Sequence, residues 1–421
     1  AYGAGGLVGN NREARISNSR ASGSLNLAGN NLNLGGLVGR NYLGELTNAS
    51  SSASVSGSGR GGYRGGLVGL NEDGTLNNVA AHGKVSGNGT GAIGGLVGRN
   101  LRGTLRNGSA SGNVEDTGSL YVGGLIGHNQ QGKMNNLLAS GNVLGGRNAY
   151  VGGLIGFNEG GSLFNASAQG AVHANGALAL GGLIGKNDKG SIDNGSASGD
   201  VSDAAARYLG GLIGHNIGGA HRNLSASGNV FGGTNLHVGG LIGLNENGSL
   251  LNASAKGNVG ANGAESLGGL IGKNLKGSLT NVSASGDVID RNGRNLGGLI
   301  GASEQGSITN ARAYGKVSSM ANASRLGGLI GYSSDSLITN TSASGKVSGG
   351  LGAYAGGLIG MLESSGRVIN SSASGEVEGG ASSNVGGLVG INYGSIDNAS
   401  ASGKVTSNQG LALGGLVGMN L

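Results

Sequence analysis

Residues 94–114 read GGLVGRNLRGTLRNGSASGNV, and variants of this stretch fill the chain of 421 residues. The opening motif, Gly-Gly-Leu followed by Val or Ile and a further Gly, occurs fifteen times at intervals of 28 to 30 residues. Repetition at one interval of about 20–50 residues is typical of solenoids and other repeat arrays. The copies begin at Gly5, Gly35, Gly65, Gly94, Gly123, Gly152, Gly181, Gly210, Gly239, Gly268, Gly297, Gly327, Gly356, Gly386 and Gly414.

Apolar and small residues alternate with polar ones inside each copy, as at Leu105, Ala110 and Val114. A period of two is typical of strands, and the Gly, Asn and Ser residues between the alternating stretches indicate turns. We predict one strand before the central Asn, a second after it, and a third that runs from the apolar residue preceding Gly-Gly through the Val or Ile. The predicted fold is all-β: a single-stranded parallel β-solenoid (β-helix) of about fourteen to fifteen coils, with three short strands per coil. We assume right-handed winding.

Stacking of the coils is the expected source of stability. Parallel strands lie about 4.8 Å apart, so the whole array predicts a rod on the order of 70 Å long. One coil buries about five or six apolar side chains at roughly 2 kcal/mol each. Ordering its residues costs about 1.5 kcal/mol apiece, so we expect that no coil folds alone.

Composition excludes several other classes of protein. The chain has 98 glycines, no proline, no cysteine and no tryptophan, and 37% of its residues are hydrophobic. A collagen helix needs Gly at every third residue and abundant Pro, and a disordered linker lacks apolar residues. The net charge of +6 is spread along the chain without a basic run, and no apolar stretch is long enough to span a bilayer. We expect no nucleic-acid partner and no membrane insertion by this segment.

We expect one continuous array over residues 1–421. Regular coils occupy 5–296 and 386–421, and less regular coils occupy 297–385. Residues 123–209 align without gaps on 210–296 with 60 of 87 positions identical, so part of the array arose by copying three coils together. No atypical capping copy is found at either end. Because open solenoid ends invite pairing, we expect a longer parent chain or end-to-end stacking.

Two columns of Asn recur in register. The first asparagine column lies about thirteen residues after the first Gly, and we predict that it forms a buried ladder of amide hydrogen bonds. Its members are Asn18, Asn48, Asn78, Asn107, Asn136, Asn165, Asn194, Asn223, Asn252, Asn281, Asn310, Asn340, Asn370 and Asn398. Asn-x-Ser sequons on this column are by-products of the repeat if the column is buried and candidate glycosylation sites if it is exposed.

The second asparagine column follows the Gly-Gly-Leu motif directly and predicts a second ladder. It lapses at Ser303, Ser333 and Leu362. Its members are Asn11, Asn41, Asn71, Asn100, Asn129, Asn158, Asn187, Asn216, Asn245, Asn274 and Asn392.

The repeat resembles the GLUG repeat of large secreted bacterial proteins. The resemblance rests on Gly-Gly-Leu-Val-Gly-x-Asn, then Gly-x-Leu-x-Asn and Ala-Ser-Gly-x-Val, as in residues 94–114, and it covers essentially the whole chain. GLUG repeats occur in adhesins of the filamentous-haemagglutinin, two-partner-secretion type and in repeat regions of some immunoglobulin A peptidases. The resemblance implies a β-solenoid at the bacterial cell surface and supplies no catalytic residue.

The residues predict no enzyme, no cofactor and no metal site. His128 and His215 share a column but lie three coils apart, and His221 occupies a position where other copies have Leu in the core. Asp200 and Asp203 recur as Asp287 and Asp290, again three coils apart. Paired acid and base chemistry needs carboxylates within several ångströms of each other, so this spacing disfavours a glycosidase-like site.

Two surface features are candidates for contact with a partner. The first is the tyrosine column, two residues before Gly-Gly, which we predict to face outward as an aromatic ridge. Its members are Tyr63, Tyr121, Tyr150, Tyr208, His237 and Tyr354. The second is the Leu and Val/Ile pair of every motif. Either the glycines bend the strand so that both residues are buried, which we favour, or one of each pair forms an exposed apolar stripe for lateral association.

The expected function is that of an elongated, non-catalytic adhesive module of a secreted, extracellular bacterial surface protein. Reach and multivalent contact with a glycan or protein surface of a host, a matrix or another cell would be its mechanism. One alternative is a subunit of a self-assembling filament that associates through open coil ends or the Leu/Val/Ile stripe. Another is a repeat spacer of a secreted peptidase.

Overall fold

The computed structural model describes residues 2–89, 91–320 and 324–421. Within these ranges the secondary structure consists of short strands, and no helix of a length and hydropathy suited to crossing a membrane is present. Two compact units are distinguished by their contacts. Unit 1 takes in the chain up to Asp203 together with Leu212–His215, and unit 2 takes in Ala204–Gly211 and Asn216–Leu421.

Each unit is a parallel β-solenoid. Strands of one coil pair in parallel with the strands one repeat later, so that Tyr121 lies beside Tyr150 in unit 1 and Ser266 beside Asn295 in unit 2. Backbone hydrogen bonds follow the same register, as from the Leu125 N–H to the Leu154 carbonyl at 2.9 Å. The predicted all-β solenoid is confirmed for both units.

A regular coil has four strands, where the sequence predicted three. Tyr121–Gly123, Ile126–Gln130, Lys133–Ala139 and Val143–Gly145 form one example. The predicted strand across Gly-Gly is interrupted by a bend at the second Gly and the Leu, which separates the first two strands. We number the sheets formed by these four kinds of strand 1 to 4 in chain order.

In unit 1, sheet 1 contains Tyr2–Gly5, Leu32–Gly35, Tyr63–Gly65, Ala92–Gly94, Tyr121–Gly123, Tyr150–Gly152 and Ala179–Gly181. Sheet 2 contains Val8–Arg12, Val38–Tyr42, Val68–Glu72, Val97–Leu101, Ile126–Gln130, Ile155–Glu159 and Ile184–Asp188. Sheet 3 contains Arg15–Ser17, Arg20–Ala21, Glu45–Ser51, Thr75–Ala81, Thr104–Ala110, Lys133–Ala139, Ser162–Ala168 and Ser191–Ala197. Sheet 4 contains Ser24–Ala28, Ser54–Ser58, Val85–Gly87, Val114–Asp116, Val143–Gly145, Val172–His173 and Val201–Asp203.

In unit 2, sheet 1 contains Tyr208–Gly210, His237–Gly239, Ser266–Gly268, Asn295–Gly297, Arg325–Gly327, Tyr354–Gly356, Asn384–Gly386 and Ala412–Gly414. Sheet 2 contains Ile242–Glu246, Ile271–Leu275, Ile300–Glu304, Ile330–Ser334, Ile359–Leu362, Val389–Asn392 and Val417–Asn420. Sheet 3 contains Ala220–Ala226, Ser249–Ala255, Ser278–Ala284, Ser307–Ala313, Leu337–Thr339, Ser342–Ala343, Arg367–Ile369, Ser372–Ala373, Ser395–Asp397 and Ser400–Ala401. Sheet 4 contains Val230–Gly232, Val259–Ala261, Val288–Asp290, Val317–Ser319, Val347–Ser348, Val377–Gly379 and Val405–Ser407. The strand Ile213–Ile217 is divided between the units.

The Leu and Val/Ile of the motif both enter the core. Leu125 and Ile126 have no solvent-exposed surface, and the same holds for the corresponding pairs through most of each unit. In the first and last copies of the motif, Leu7 and Leu416 are 52% and 40% exposed, and Val8 and Val417 are half-buried. Because the bend turns two consecutive side chains inward, these residues do not form the exposed stripe that lateral association would require.

Glycine is required where sheets 1 and 2 approach each other. A Cβ added to Gly98 would lie 2.5 Å from the backbone nitrogen of Arg64 and 2.8 Å from its carbonyl oxygen. Real Cβ atoms do not approach backbone this closely, so the backbones of the two sheets meet where only a hydrogen atom fits. This contact fixes the reversal of the chain at Gly-Gly.

The second asparagine column forms the buried ladder. In unit 1 the Nδ2 of Asn100 donates to the Oδ1 of Asn129 at 2.8 Å, and Asn129 donates in turn to Asn158 at 2.8 Å. Asn100 also donates to the carbonyl of Gly103 at 3.2 Å. This bond gives a hydrogen-bond partner to a backbone carbonyl at the turn after the strand. In unit 2 the same bond joins Asn245 to Asn274.

The first asparagine column is exposed, so the prediction that it is buried is wrong. Thirteen of its fourteen members are exposed, and Asn165 is half-buried. All have positive φ, between 47° and 59°, a left-handed conformation that Asn tolerates better than most residues. The bend it makes turns the amide outward, where it still forms a ladder, as from Asn136 Nδ2 to Asn107 Oδ1 at 3.0 Å. The Asn-x-Ser sequons are therefore accessible.

We expect Asn129→Ala to lower the free energy of unfolding by about 2–4 kcal/mol. The substitution leaves one N–H of the buried Asn100 amide and the amide oxygen of Asn158 without their ladder partners, and each unmet group costs about 1–3 kcal/mol. Asn136→Gly is the matched control, because Gly keeps the positive φ and both lost bonds, to Asn107 and from Asn165, are exposed; its expected effect is below about 1 kcal/mol. Urea denaturation followed by circular dichroism measures both, and equal losses would contradict the assignment of the ladders.

A candidate binding surface where sheets 1 and 2 meet

The tyrosine column lies in sheet 1 beside a row of sheet 2, because the chain reverses at Gly-Gly. We call these two rows the seam. In unit 1 the seam consists of Tyr63, Ala92, Tyr121, Tyr150 and Ala179 beside Arg40, Leu70, Arg99, His128, Phe157 and Lys186. In unit 2 it consists of Tyr208, His237, Ser266, Asn295, Arg325 and Tyr354 beside Leu244, Lys273, Ala302, Tyr332 and Met361.

The tyrosine column faces solvent only in part, because a second row of side chains packs beside it. Its five tyrosines are half-buried, and His237 is buried with 7% of its surface exposed. In unit 1 the row of sheet 2 packs against the rings of Tyr63, Tyr121 and Tyr150. The sequence missed this packing because the alternation of one strand says nothing about a second strand folded against it. A role of these residues in partner contact stays a prediction.

Four rings pack together in the seam of unit 1. Tyr121 and Tyr150 stack with their centroids 6.0 Å apart, and His128 stacks on Phe157 at 5.1 Å. Tyr121 lies 4.8 Å from His128, and Tyr150 lies 5.7 Å from Phe157. Aromatic pairs at these distances contribute about 0.5–1.5 kcal/mol each beyond their buried area. The rings are thus held in fixed positions at the surface.

Cations lie over several rings of the seam in unit 1. The Lys186 Nζ is 5.3 Å from the Tyr150 ring and 5.2 Å from the Phe157 ring. The guanidinium of Arg99 lies 5.3 Å from the Tyr63 ring and donates to its hydroxyl at 2.6 Å. A cation within about 6 Å of a ring is attracted by its negative face. The seam of unit 1 therefore combines aromatic area with positive charge.

Carboxylates border the seam. Glu159 lies 3.3 Å from His128, and Glu72 pairs with Arg40 at 2.6 Å. Burial, and secondarily the nearby Arg99, lowers the pKa of His128 to about 4. Burial, with Tyr150 and Glu159 adding to it, raises the pKa of Tyr121. Both rings are therefore neutral at pH 7, and the net charge of the seam comes from Arg, Lys and Glu.

The seam of unit 2 is made of different side chains. Tyr208 stacks on His237 at 5.8 Å, and the Arg325 guanidinium lies 4.8 Å from the Tyr332 ring. Arg325 also donates to the Oδ1 of Asn295 at 3.1 Å. A cavity of about 190 Å³ opens among these groups and is lined by Glu265, Ser266, Lys273, Arg294, Asn295, Ala302, Glu304, Arg325 and Tyr332. This cavity is polar and carries both signs of charge.

The remaining histidines do not assemble a metal site. Within the described ranges no three side chains of His, Asp or Glu are placed to hold one ion. His82 and His173 are exposed and contact Ser111 and Ser202. His221 is buried beside Leu250 of the next coil, which confirms that it replaces a core Leu. Its Nε2 lies 2.9 Å from the Oδ1 of Asn216, and burial lowers its pKa to about 4.

Three buried aspartates have a role that the sequence reasoning missed. Asp116, Asp203 and Asp290 are at most 3% exposed, and each accepts backbone N–H groups of a corner loop between sheets 4 and 1. Asp290, for example, accepts from Gly263 at 2.7 Å and Ala264 at 2.9 Å. Their spacing of one three-coil copy was the available signal. These carboxylates hold loops in place, and they do not form an acid and base pair.

The comparisons with known proteins identify the repeat. The family model described as the GLUG motif matches ten segments that together cover more than half of the chain. The segments are residues 1–26, 30–56, 89–115, 147–172, 176–202, 205–230, 234–260, 263–289, 322–348 and 381–406. No curated protein and no solved structure matches the chain.

We expect His221 to make the protein sensitive to acid. Its pKa is about 4 in the folded state and about 6.5 in the unfolded chain, so between these values the unfolded state binds more protons. The stabilising effect of a neutral His221 is complete above pH 6.5 and is lost as pH falls toward 4, up to about 3 kcal/mol. The pKa of His128 is also lowered to about 4, so this residue likewise reduces stability as the pH falls.

Melting curves of wild type, His221→Leu and His82→Ser between pH 7 and pH 4.5 test this expectation. Leu is the residue of the neighbouring coil, so His221→Leu removes the titration and keeps the core filled. The variant should lose less melting temperature on acidification than wild type, whereas His82→Ser, at an exposed site, should behave as wild type does. Equal acid sensitivity of all three proteins would show that His221 is not buried as described.

Proposed function

Because the chain belongs to the GLUG-motif family, whose β-solenoid is a structural repeat fold, we propose that it is a non-catalytic adhesive module of a secreted bacterial cell-surface protein. In this role its repeated surfaces contact a glycan or protein on a host, a matrix or another cell. The family and the fold support a repeat-based structural module, and adhesion is the function that we propose for it. Its support comes from the surface of the coils.

The aromatic cluster of unit 1 carries the proposal. Tyr121, Tyr150 and Phe157 are half-buried, so each keeps ring surface open to solvent while its neighbours hold it in place. Ordering a side chain on binding costs about 0.5–1.5 kcal/mol, and side chains that are already fixed avoid most of this cost. Aromatic rings also provide large contact area with a polar group at one edge, which suits sugars and protein surfaces.

Repetition explains how such contacts reach useful affinity. The seam runs through successive coils of each unit, so ligand groups spaced along a polymer or a cell surface meet several contacts on one chain. Linked contacts raise avidity by about 10²–10⁴ over a single contact without any new interaction. Contacts that are weak in each coil and differ from coil to coil are then sufficient for adhesion, and no single deep pocket is needed.

We expect Tyr121→Ala with Tyr150→Ala to lower adhesion at least tenfold. Ala occupies the same column in the flanking strands Ala92–Gly94 and Ala179–Gly181, so the double variant keeps a residue that the fold accepts. The test displays the full chain on beads and measures retention on arrays of glycans and extracellular-matrix proteins.

The control variant is Phe164→Asn, which removes an aromatic side chain that is 46% exposed on sheet 3 of the same unit, outside the seam. Asn is the residue of the preceding coil at this position. We expect its retention to match wild type. If the double variant is retained as well as wild type, the seam is not the adhesive surface, and if wild-type beads bind no surface on the arrays, the adhesive function itself is wrong.

A further inference from the structure

In unit 2, one coil departs from the serine pattern of sheet 3 at both serine positions. Residues 310–316 read NARAYGK, whereas the coil before reads NVSASGD at 281–287 and the coil after reads NTSASGK at 340–346. Arg312 and Tyr314 thus replace serines. The strand partners of Arg312 are Ser283 in the coil before and Ser342 in the coil after. Both replacements are large side chains capable of recognition, at adjacent outward positions of one coil.

These side chains face solvent. Arg312, Tyr314 and Lys316 are exposed, and the residues between them are buried, so all three project from the same side of the chain. Tyr314 keeps 50% of its surface exposed. The sequence shows their departure from the repeat, whereas the register that places them beside the first asparagine column is a property of the folded coil.

A depression of about 550 Å³ lies between these side chains and the first asparagine column. Asn281, Val282, Ser283, Asn310, Arg312, Tyr314 and Asn340 line it. This volume falls within the range of about 300–1,000 Å³ that is usual for small-molecule sites. The depression lies wholly within unit 2.

The asparagines supply a row of hydrogen-bonding groups. Asn310 donates to Asn281 at 3.2 Å, which uses one of the two N–H donors of Asn310 and one acceptor site on Asn281. Since the column is exposed, the remaining donors and acceptors face the depression or solvent. Successive coils repeat the amides about every 4.8 Å. Amides at this spacing can bond the hydroxyl groups of a sugar chain lying along them.

The charge of the site is positive. Arg312 and Lys316 form no ion pair within the described part of the chain. A carboxylate is close to Lys316, since the Oδ1 of Asp287 accepts the Lys316 backbone N–H at 2.8 Å. Asp287 lies at the corner beyond the depression and does not line it. An exposed guanidinium without a partner matches a planar carboxylate through two parallel hydrogen bonds.

We propose that this depression binds a carboxylate-bearing saccharide, with the carboxylate on Arg312, a pyranose face against the Tyr314 ring and hydroxyl groups on Asn281, Asn310 and Asn340. The inference rests on the proposed function, because it names a ligand class for one part of an adhesive surface. Lys316 adds attraction at longer range. A saccharide is favoured over an acidic peptide because the site offers an aromatic face and a row of amides and lacks a deep apolar pocket.

Titration calorimetry of the full chain with hexagalacturonate tests the proposal. The neutral control ligand is the same hexasaccharide with its carboxyl groups methyl-esterified. We expect the acid to bind at least tenfold more tightly than the ester, because a charge-assisted pair with Arg312 is lost in the ester. Binding of the acid should weaken as ionic strength rises, since the site is exposed.

Variants that restore the neighbouring sequence keep the fold intact. Arg312→Ser and Tyr314→Ser recreate the serines of the adjacent coils, and Arg222→Thr removes a different exposed cation of sheet 3 in unit 2. We expect Arg312→Ser to weaken binding of the acid at least tenfold and Tyr314→Ser several-fold. Arg222→Thr has the same effect on net charge as Arg312→Ser, and we expect it to change binding less than twofold.

Three results would overturn the inference: equal binding of acid and ester, equal effects of Arg312→Ser and Arg222→Thr, or equally tight binding of a hexaglutamate peptide. The last result would show a general anion site without selectivity for sugars. If hexagalacturonate does not bind but the bead-displayed chain still adheres through the seam, only this inference fails. If neither the saccharide nor any arrayed surface is bound, the proposed function fails as well.

Discussion

Pairing of each strand with the strand one repeat later is the constraint on which the rest of the structure depends. In the described strands a residue lies beside its counterpart one repeat later, as Leu125 bonds to Leu154 and Asn100 to Asn129. A residue type can therefore recur along a whole column only if it stacks on itself at the strand spacing. Buried Leu and Val satisfy this by packing, and buried Asn satisfies it because its amide is both donor and acceptor. The same pairing turns single surface residues into rows.

The repeat interval and the period of two were enough to predict the solenoid. Strict alternation would have exposed one residue of each Leu and Val/Ile pair, and burial of both was favoured only because the glycines could bend the strand. The number of strands per coil was not predictable in this way, because the bend at Gly124 and Leu125 depends on contact between two sheets. The first asparagine column was assigned incorrectly as buried, whereas the second forms the ladder that the sequence predicted. Periodicity shows that a column exists, whereas the positive φ of Asn107 decides which way its amide points.

The exposure and grouping of surface side chains were predicted less well, because they too depend on contacts between different strands. The tyrosine column was found from its spacing, but its half-buried state follows from His128 and Phe157, which belong to a different strand. The depression at Arg312 and Tyr314 arises where the repeat is broken and is visible only when neighbouring coils are laid side by side. Departures from the repeat are consequently where specific recognition is expected, while the repeat itself supplies the scaffold.

Spin-label distances within unit 1 test most directly whether each repeat forms one coil stacked on the next. The chain has no cysteine, so Ser50→Cys, Ser109→Cys and Ser196→Cys introduce unique labelling sites, and all three serines lie in sheet 3. Stacking at about 4.8 Å per coil predicts Cα separations of about 24 Å between residues 50 and 196 and about 14 Å between residues 109 and 196. A difference near 10 Å between the two label pairs would support the account, and distances that do not shorten with the number of coils would contradict it.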